Sequence, residues 1–530
     1  MVYVIGIVVA LLFFIAIGVF LSKKVSNVED YYVSGRNAPT LLITGSLVAS
    51  FLSSVTFMGE AGFSYSGYPI IQLILVVFNA SGYVLGAFFF GRYLRRSRAL
   101  TVPEYFGKRF DSQKIRKVAG ITTIFGVSAY LVAVTQGGAL LFSSVSGISY
   151  GVSVAIIWIA YTSFTFLSGA KGVLVNDTIM FIIFLLATVV GVPFILHATG
   201  GWPDAIINTA SLQTHPGILS WHGLNGSESF FNSPVEALMW AVILGLVWGT
   251  VVAVSPWQTS RYLMAKSEHV VIRSGVIATI AIFVIYLFLH MGMATVNLVN
   301  PNINPVENVF IWSAKNLMPT WFGVIALVGI MAAILSSCST FLQLIGNSVA
   351  HDIFINKENE SKVVLRFSRN TMLISSIVIM MITLWQPPAV MWIGYFAATL
   401  FAASWGPVAF ASVYSKTVTK NAAFWSIIAG FVAVVGAELY EMLVTDLPIY
   451  LHPVIIGVVL SILTLTLISK TEGVTQIEKE FRLKILEAPA TLKDPKEIKI
   501  TKRFPNALII SGVFLIVLTF VFYYVPLHLL

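Results

Sequence analysis

Along this chain, apolar runs alternate with short polar breaks from one end to the other. A bilayer core about 30 Å thick is crossed by about 20 apolar residues in a helix. Fourteen stretches meet that length, near 2–22, 39–64, 67–94, 117–145, 150–168, 173–198, 235–260, 270–299, 320–350, 368–386, 389–414, 421–444, 449–469 and 506–527. Polar residues inside these stretches are clustered. The ninth segment reads "AAILSSCSTFL" over 332–342, with no charge between Trp321 and Ala350. Ala333, Ser336, Ser337 and Thr340 recur at i, i+3, i+4 and i+7, which places them on one helical stripe. Ser336, Ser339 and Thr340 form a second, overlapping triangle. Two readings are open: small residues that let helices pack closely or bond back to their own carbonyls, or oxygen ligands for a cation.

Two segments carry the pattern of interrupted helices. The second has Gly45, Gly59 and Gly62 around a serine-rich centre at Ser50, Ser53 and Ser54; the seventh has Gly245, Gly249 and then Ser255-Pro256. They begin two five-helix halves, and an odd number of crossings gives the halves opposite orientation. Broken helices at matching places in inverted halves point to a binding site at the midplane of a transporter. Freed carbonyls at that depth must line a cavity or ligate an ion.

Composition agrees: 57% of residues are hydrophobic and only 10% charged, against roughly 25% charged in soluble domains. The net charge of +9 does not indicate nucleic acid. With the N-terminus outside, every Lys and Arg except Lys315 falls on the cytoplasmic side, as the positive-inside rule requires. The expected location is the plasma (cytoplasmic) membrane, multi-pass, with both termini outside. The first segment lacks a basic leader and a small-residue cleavage site and reads as a retained helix. Cys338 is the sole cysteine and the histidines show no ligand spacing. No nucleotide-binding glycine loop or H-E-x-x-H motif occurs, which argues against an ATP-driven pump and an intramembrane metalloenzyme. The long outer loop, about 200–233, is expected to carry short interfacial pieces, and the 470–505 loop to be a solvated tether.

Several polar residues lie at membrane depth. Asp177 needs a partner there and reads either as a cation ligand or as an interfacial acid at a helix N-terminus. Glu60 either lines an entrance or packs against a hydroxyl. Asn79 and Gln136 read as solute contacts or inter-helix hydrogen bonds.

Four stretches resemble the sodium:solute symporter family: "ASFLSSVTFMG" (49–59), "RALTVPEYFGKRF" (98–110), "GVLVNDTIMF" (172–181) and "AAILSSCSTF" (332–341). The resemblance covers about residues 1–470; Asn176 and Met180 depart from the family's usual threonine and glutamine. It implies an all-α polytopic membrane protein with a LeuT-type 5+5 inverted repeat and about 14 transmembrane helices. The single domain over 1–530 would comprise an extra helix at 2–22, a ten-helix core at 38–415, and peripheral helices at 420–530 with the cytoplasmic loop. By resemblance, a Na⁺ site takes the carbonyls of Ala49, Leu52 and Ala333 and the hydroxyls of Ser336 and Ser337. A second Na⁺ would take Asp177, Ser336, Ser339 and Thr340. Solute would lie beside Ser53, Ser54, Thr56, Asn79, Gln136 and Ser255, and Trp257 falls at the inner gate.

The expected function is Na⁺-coupled uptake of a small organic solute, with Na⁺ as coupling ion, no other cofactor and no enzymatic activity. The family wording favours a monocarboxylate, with neutral amino acids and sugars open. A solute-sensing membrane module, a channel and an H⁺-coupled symporter are the alternatives.

Overall fold

Both anticipated interruptions are present in the computed structural model, which describes residues 1–22, 28–354, 361–385 and 390–528. The second segment forms a helix over Thr40–Ala49, loses regular structure, resumes as a wide π-turn over Val55–Glu60 and ends as Ala61–Tyr65. The serines contribute to the break: the Ser53 hydroxyl accepts the Val55 N–H at 3.2 Å, in competition with the backbone. In the seventh segment, helix Pro234–Val254 stops at Ser255, whose φ of −61° and ψ of 151° are extended, and Pro256 opens the helix Pro256–Met264. Proline pushes the preceding residue out of the helical region and brings no N–H of its own.

Twelve helices among the described residues are long and apolar enough to cross a membrane. Two shorter apolar helices, Thr40–Ala49 and Tyr150–Phe166, lie within the second and fifth segments. Tyr150–Val189 is helical throughout, but its contacts divide it into two arms. Tyr150 and Trp158 bond Thr383 and Ser376 of the tenth segment at 2.9 and 3.0 Å. Farther on, Phe184 and Ala187 lie against Gly329 of the ninth segment.

The ninth segment forms the centre, with 83% of its apolar window buried, whereas the last helix has 6% buried and presents Ile509, Ile510, Phe514 and Ile516 outward. The third and seventh segments cross closely at Gly82 and Gly249; a Cβ on Gly82 would collide with the Gly249 carbonyl. In the outer loop, a short helix forms over Asp204–Ala210, and Phe230 and Phe231 pack with Phe63, Tyr68 and Trp240 into an aromatic cap.

The 470–505 loop is docked, which corrects the expectation of a solvated tether. Its helix Gln476–Leu486 starts with a capping box between Thr475 and Glu478. Arg96 donates to the Ile485 and Leu486 carbonyls at 2.9 Å, Arg482 reaches the Val413 carbonyl at 2.9 Å, and Arg273 pairs with Glu497 at 2.5 Å. The physical reason is amphipathicity hidden among charges: Phe481 and Ile485 share a helix face, and Ile485 is buried.

Candidate ion and solute site

The break in the second segment faces the hydroxyl stripe of the ninth. Among the described residues no backbone N–H bonds the carbonyls of Ala49 or Leu52. The Ser337 hydroxyl donates to the Leu52 carbonyl at 3.3 Å. Ala333, Ser336 and Ser337 are fully buried beside it on the stripe. A freed carbonyl and a hydroxyl from two different helices, in mutual contact and away from water, form the kind of all-oxygen set that suits a hard cation.

The acid of the sixth segment lies next to this set. Asp177 is fully buried and accepts hydrogen bonds from the hydroxyls of Ser46 and, at 2.6 Å, Ser336. Its partner is Arg261, whose Nη2 lies 3.3 Å from Oδ2. The guanidinium also donates to Ser46 at 2.9 Å, Ser260 at 3.2 Å and Thr340 at 2.5 Å. Asp177, Ser336 and Thr340 thus meet around a cation carried by the protein. The Ser339 hydroxyl instead bonds back to the Ser336 carbonyl at 2.9 Å, as in the packing reading. Asn176 ties the sixth segment to the first through the Phe14 carbonyl at 3.1 Å.

Arg261 was not among the sequence-derived site residues, because the positive-inside count accounted for it as a boundary charge. The available signal was the need of Asp177 for a counter-charge together with an arginine five residues past the Pro256 break. Membrane depth alone demanded such a pair.

Above the ion set lies a ring of aromatic and polar side chains. Trp248 is 5.5 Å from both Phe51 and Tyr395, and 6.1 Å from Tyr130. Trp257 closes the lower side, fully buried against Tyr130, Phe341 and Phe401 at 5.7, 5.7 and 5.1 Å. Neither Asp177 nor Trp257 faces lipid or water. Thr56 meets the Tyr286 hydroxyl at 3.1 Å, Ser54 reaches the Ala133 carbonyl at 3.5 Å, and Ser53 is buried beside them. Asn79 and Ser255 are buried with side-chain polar atoms that have no hydrogen-bond partner among the described residues, as are the indole nitrogens of Trp248 and Trp257. Gln136 is buried on the fourth segment. Buried polar atoms are paired in the large majority of cases, so these unpartnered groups stand out in a transmembrane interior. A small cavity of about 20 Å³ is lined by Pro256, Ser260, Arg261, Gln343 and Asn347 among others.

A polytopic helical membrane protein with two interrupted helices around a buried all-oxygen set is a membrane transporter of the ion-coupled class. The profile of the sodium:solute symporter family matches residues 31–430, and the chain belongs to that family. It is a Na⁺-coupled solute symporter. The sodium/pantothenate symporter of Escherichia coli (strain K12) is 24% identical over 461 residues, covering 84% of this chain and 92% of the relative. The sodium/proline symporter of the same organism is 24% identical over 446 residues, covering 79% and 84%. Among solved structures, a substrate-bound, outward-open Na⁺-coupled sialic acid symporter matches with a TM-score of 0.75 at 19% identity, covering 90% of this chain and 99% of the other. A nucleobase-cation-symport-1 family transporter matches at 0.56 and 12% identity, covering 86% and 98%. These structures share the LeuT-type fold.

Proposed function

We propose that this protein imports a small carboxylate-bearing organic solute by alternating access, driven by one Na⁺ held at Ala49, Leu52, Ala333, Ser336 and Ser337. The observation that carries the reading is the contact between Ser337 and the Leu52 carbonyl beside the unbonded Ala49 carbonyl. An ion there links the broken second segment to the ninth, and its loss releases them. One charge moving through 100 mV supplies about 2.3 kcal/mol, enough for roughly fiftyfold accumulation before the chemical gradient is added.

A second Na⁺ at Asp177, Ser336, Ser339 and Thr340 is the alternative stoichiometry. One ion is favoured by the guanidinium of Arg261, which already matches the charge of Asp177 and donates to Thr340. For the solute, Ser53, Ser54, Thr56, Asn79, Gln136 and Ser255 are the proposed lining. Its carboxylate is assigned to the unpaired Ser255 hydroxyl and the first N–H groups of the helix that restarts at Pro256. The relatives support a carboxylate more directly than a sugar, since they are named for pantothenate and proline. Counterflow in proteoliposomes across labelled solutes, with and without Na⁺, tests the reading; solute exchange indifferent to Na⁺ would overturn it.

Trp257 is proposed as the inner gate, because its ring is wedged between three aromatics just past the Ser255-Pro256 break. Trp257→Ala is expected to raise downhill solute leak in Na⁺-free conditions severalfold, while half-maximal Na⁺ moves less than twofold. Leak equal to that of the unmodified protein would remove the gate role.

A further inference from the structure

Glu60 stands one helical turn beyond Thr56 and is 3% exposed. Tyr286 donates to its Oε2 at 2.7 Å and Tyr395 to its Oε1 at 3.0 Å. Both donors are neutral, and among the described residues no Arg, Lys or His nitrogen lies within 4.0 Å of either oxygen. The other buried carboxylates differ. Asp177, Asp352 and Glu268 each meet an arginine, and Glu104 meets Lys108. Glu478 caps a helix N-terminus on the cytoplasmic side. Glu60 is therefore the buried acid inside the membrane whose charge the described chain leaves unmatched, where an unpaired carboxylate is costly.

Its surroundings continue into the ring of aromatic and polar side chains. Tyr286 bridges Glu60 to Thr56, and Tyr395 stands 5.5 Å from Trp248 and stacks on Trp240 at 6.2 Å. Gln72 is fully buried as a side-chain hydrogen-bond partner of Tyr395, and Asn79, two turns along the same helix, is buried with both amide atoms unpartnered among the described residues. An ammonium brings donors and no acceptor. It would match Glu60 in charge and lie among rings whose faces attract cations. A solute bearing a carboxylate alone would leave the Glu60 charge unmatched.

We propose that Glu60 binds a cationic nitrogen of the transported solute, so that the solute is a zwitterion of the amino- or imino-acid type rather than a simple monocarboxylate. This rests on the symporter reading above and sharpens it. The solute's carboxylate sits at the restarted seventh helix and its nitrogen below Glu60, so the two broken helices read opposite ends of one molecule.

The test uses the full chain in proteoliposomes and pairs of labelled solutes that differ in the nitrogen: alanine against propionate, and proline against cyclopentanecarboxylate. The native protein is expected to exchange the nitrogen-bearing member of at least one pair in a Na⁺-dependent manner, with at least a tenfold preference. Glu60→Gln, which keeps shape and hydrogen bonding but removes the charge, should reduce that preference at least tenfold while half-maximal Na⁺ moves less than twofold. Tyr395→Phe, which keeps the charge, should retain it. If Glu60→Gln does not reach the membrane, the ratio measured on the native protein decides. Na⁺-dependent exchange of the nitrogen-free members at equal or greater rate, or a preference unchanged in Glu60→Gln, would overturn the assignment and leave the symporter reading standing. Absence of Na⁺-dependent exchange for every solute would overturn both.

Discussion

Arg261→Ala is expected to abolish transport, and Asp177→Asn to come close to it, because each leaves a buried group without its counter-charge. Breaking a buried pair by removing one partner costs about 3–5 kcal/mol, which is roughly two to three and a half orders of magnitude in an equilibrium between folded and disrupted states. Here the guanidinium also serves Ser46, Ser260 and Thr340, so its removal loosens the second, sixth and ninth segments together. The double variant Asp177→Asn with Arg261→Gln removes both charges and leaves polar groups able to bond the same hydroxyls. It should recover membrane abundance and thermal stability relative to either single variant. Uptake normalised to protein in the membrane, alongside a melting curve in detergent, checks this; wild-type stability in Arg261→Ala would show that the pair carries no structural load.

Ser337→Ala and Ser336→Ala are expected to raise the Na⁺ concentration for half-maximal uptake by about tenfold each, the effect of losing about 1.5 kcal/mol from one oxygen facing a cation. Ser336→Ala should also slow uptake at saturating Na⁺, since its hydroxyl holds the Asp177 carboxylate at 2.6 Å while that of Ser337 touches the Leu52 carbonyl. Membrane insertion is expected to be intact in both, because a serine-to-alanine change in a hydrophobic helix removes a polar group. A Na⁺ dependence unchanged in both variants would return the stripe to simple packing.

The comparison between sequence and structure divides along physical lines. Spans were legible because a lipid bilayer requires long apolar runs, and the breaks were legible because Ser255-Pro256 and the serines around Ser53 disturb a helix locally. The helical stripe of Ser336, Ser337 and Thr340 was legible from spacing alone. What spacing could not give was the partner of each group across helices. Asp177 and Arg261 lie far apart in the chain, and the arginine's local context, near a cluster of inner-surface charges, pointed to the membrane boundary. Glu60 offered only its depth; its neutral tyrosine partners come from the eighth and eleventh segments. The docked 470–505 loop was obscured for a related reason, since its charges outnumber the two apolar residues that fix it. Local rules read the elements, and the third dimension assigned their counter-charges.

The most direct test of the account is the thermodynamic coupling ratio in proteoliposomes clamped at zero membrane potential. A tenfold inward Na⁺ gradient should sustain about tenfold solute accumulation if one Na⁺ moves per solute, and about a hundredfold if two do. The account predicts the tenfold plateau, lost when the Na⁺ gradient collapses and not restored by a proton gradient. Accumulation driven equally by protons, or a plateau that follows the square of the Na⁺ ratio, would contradict it.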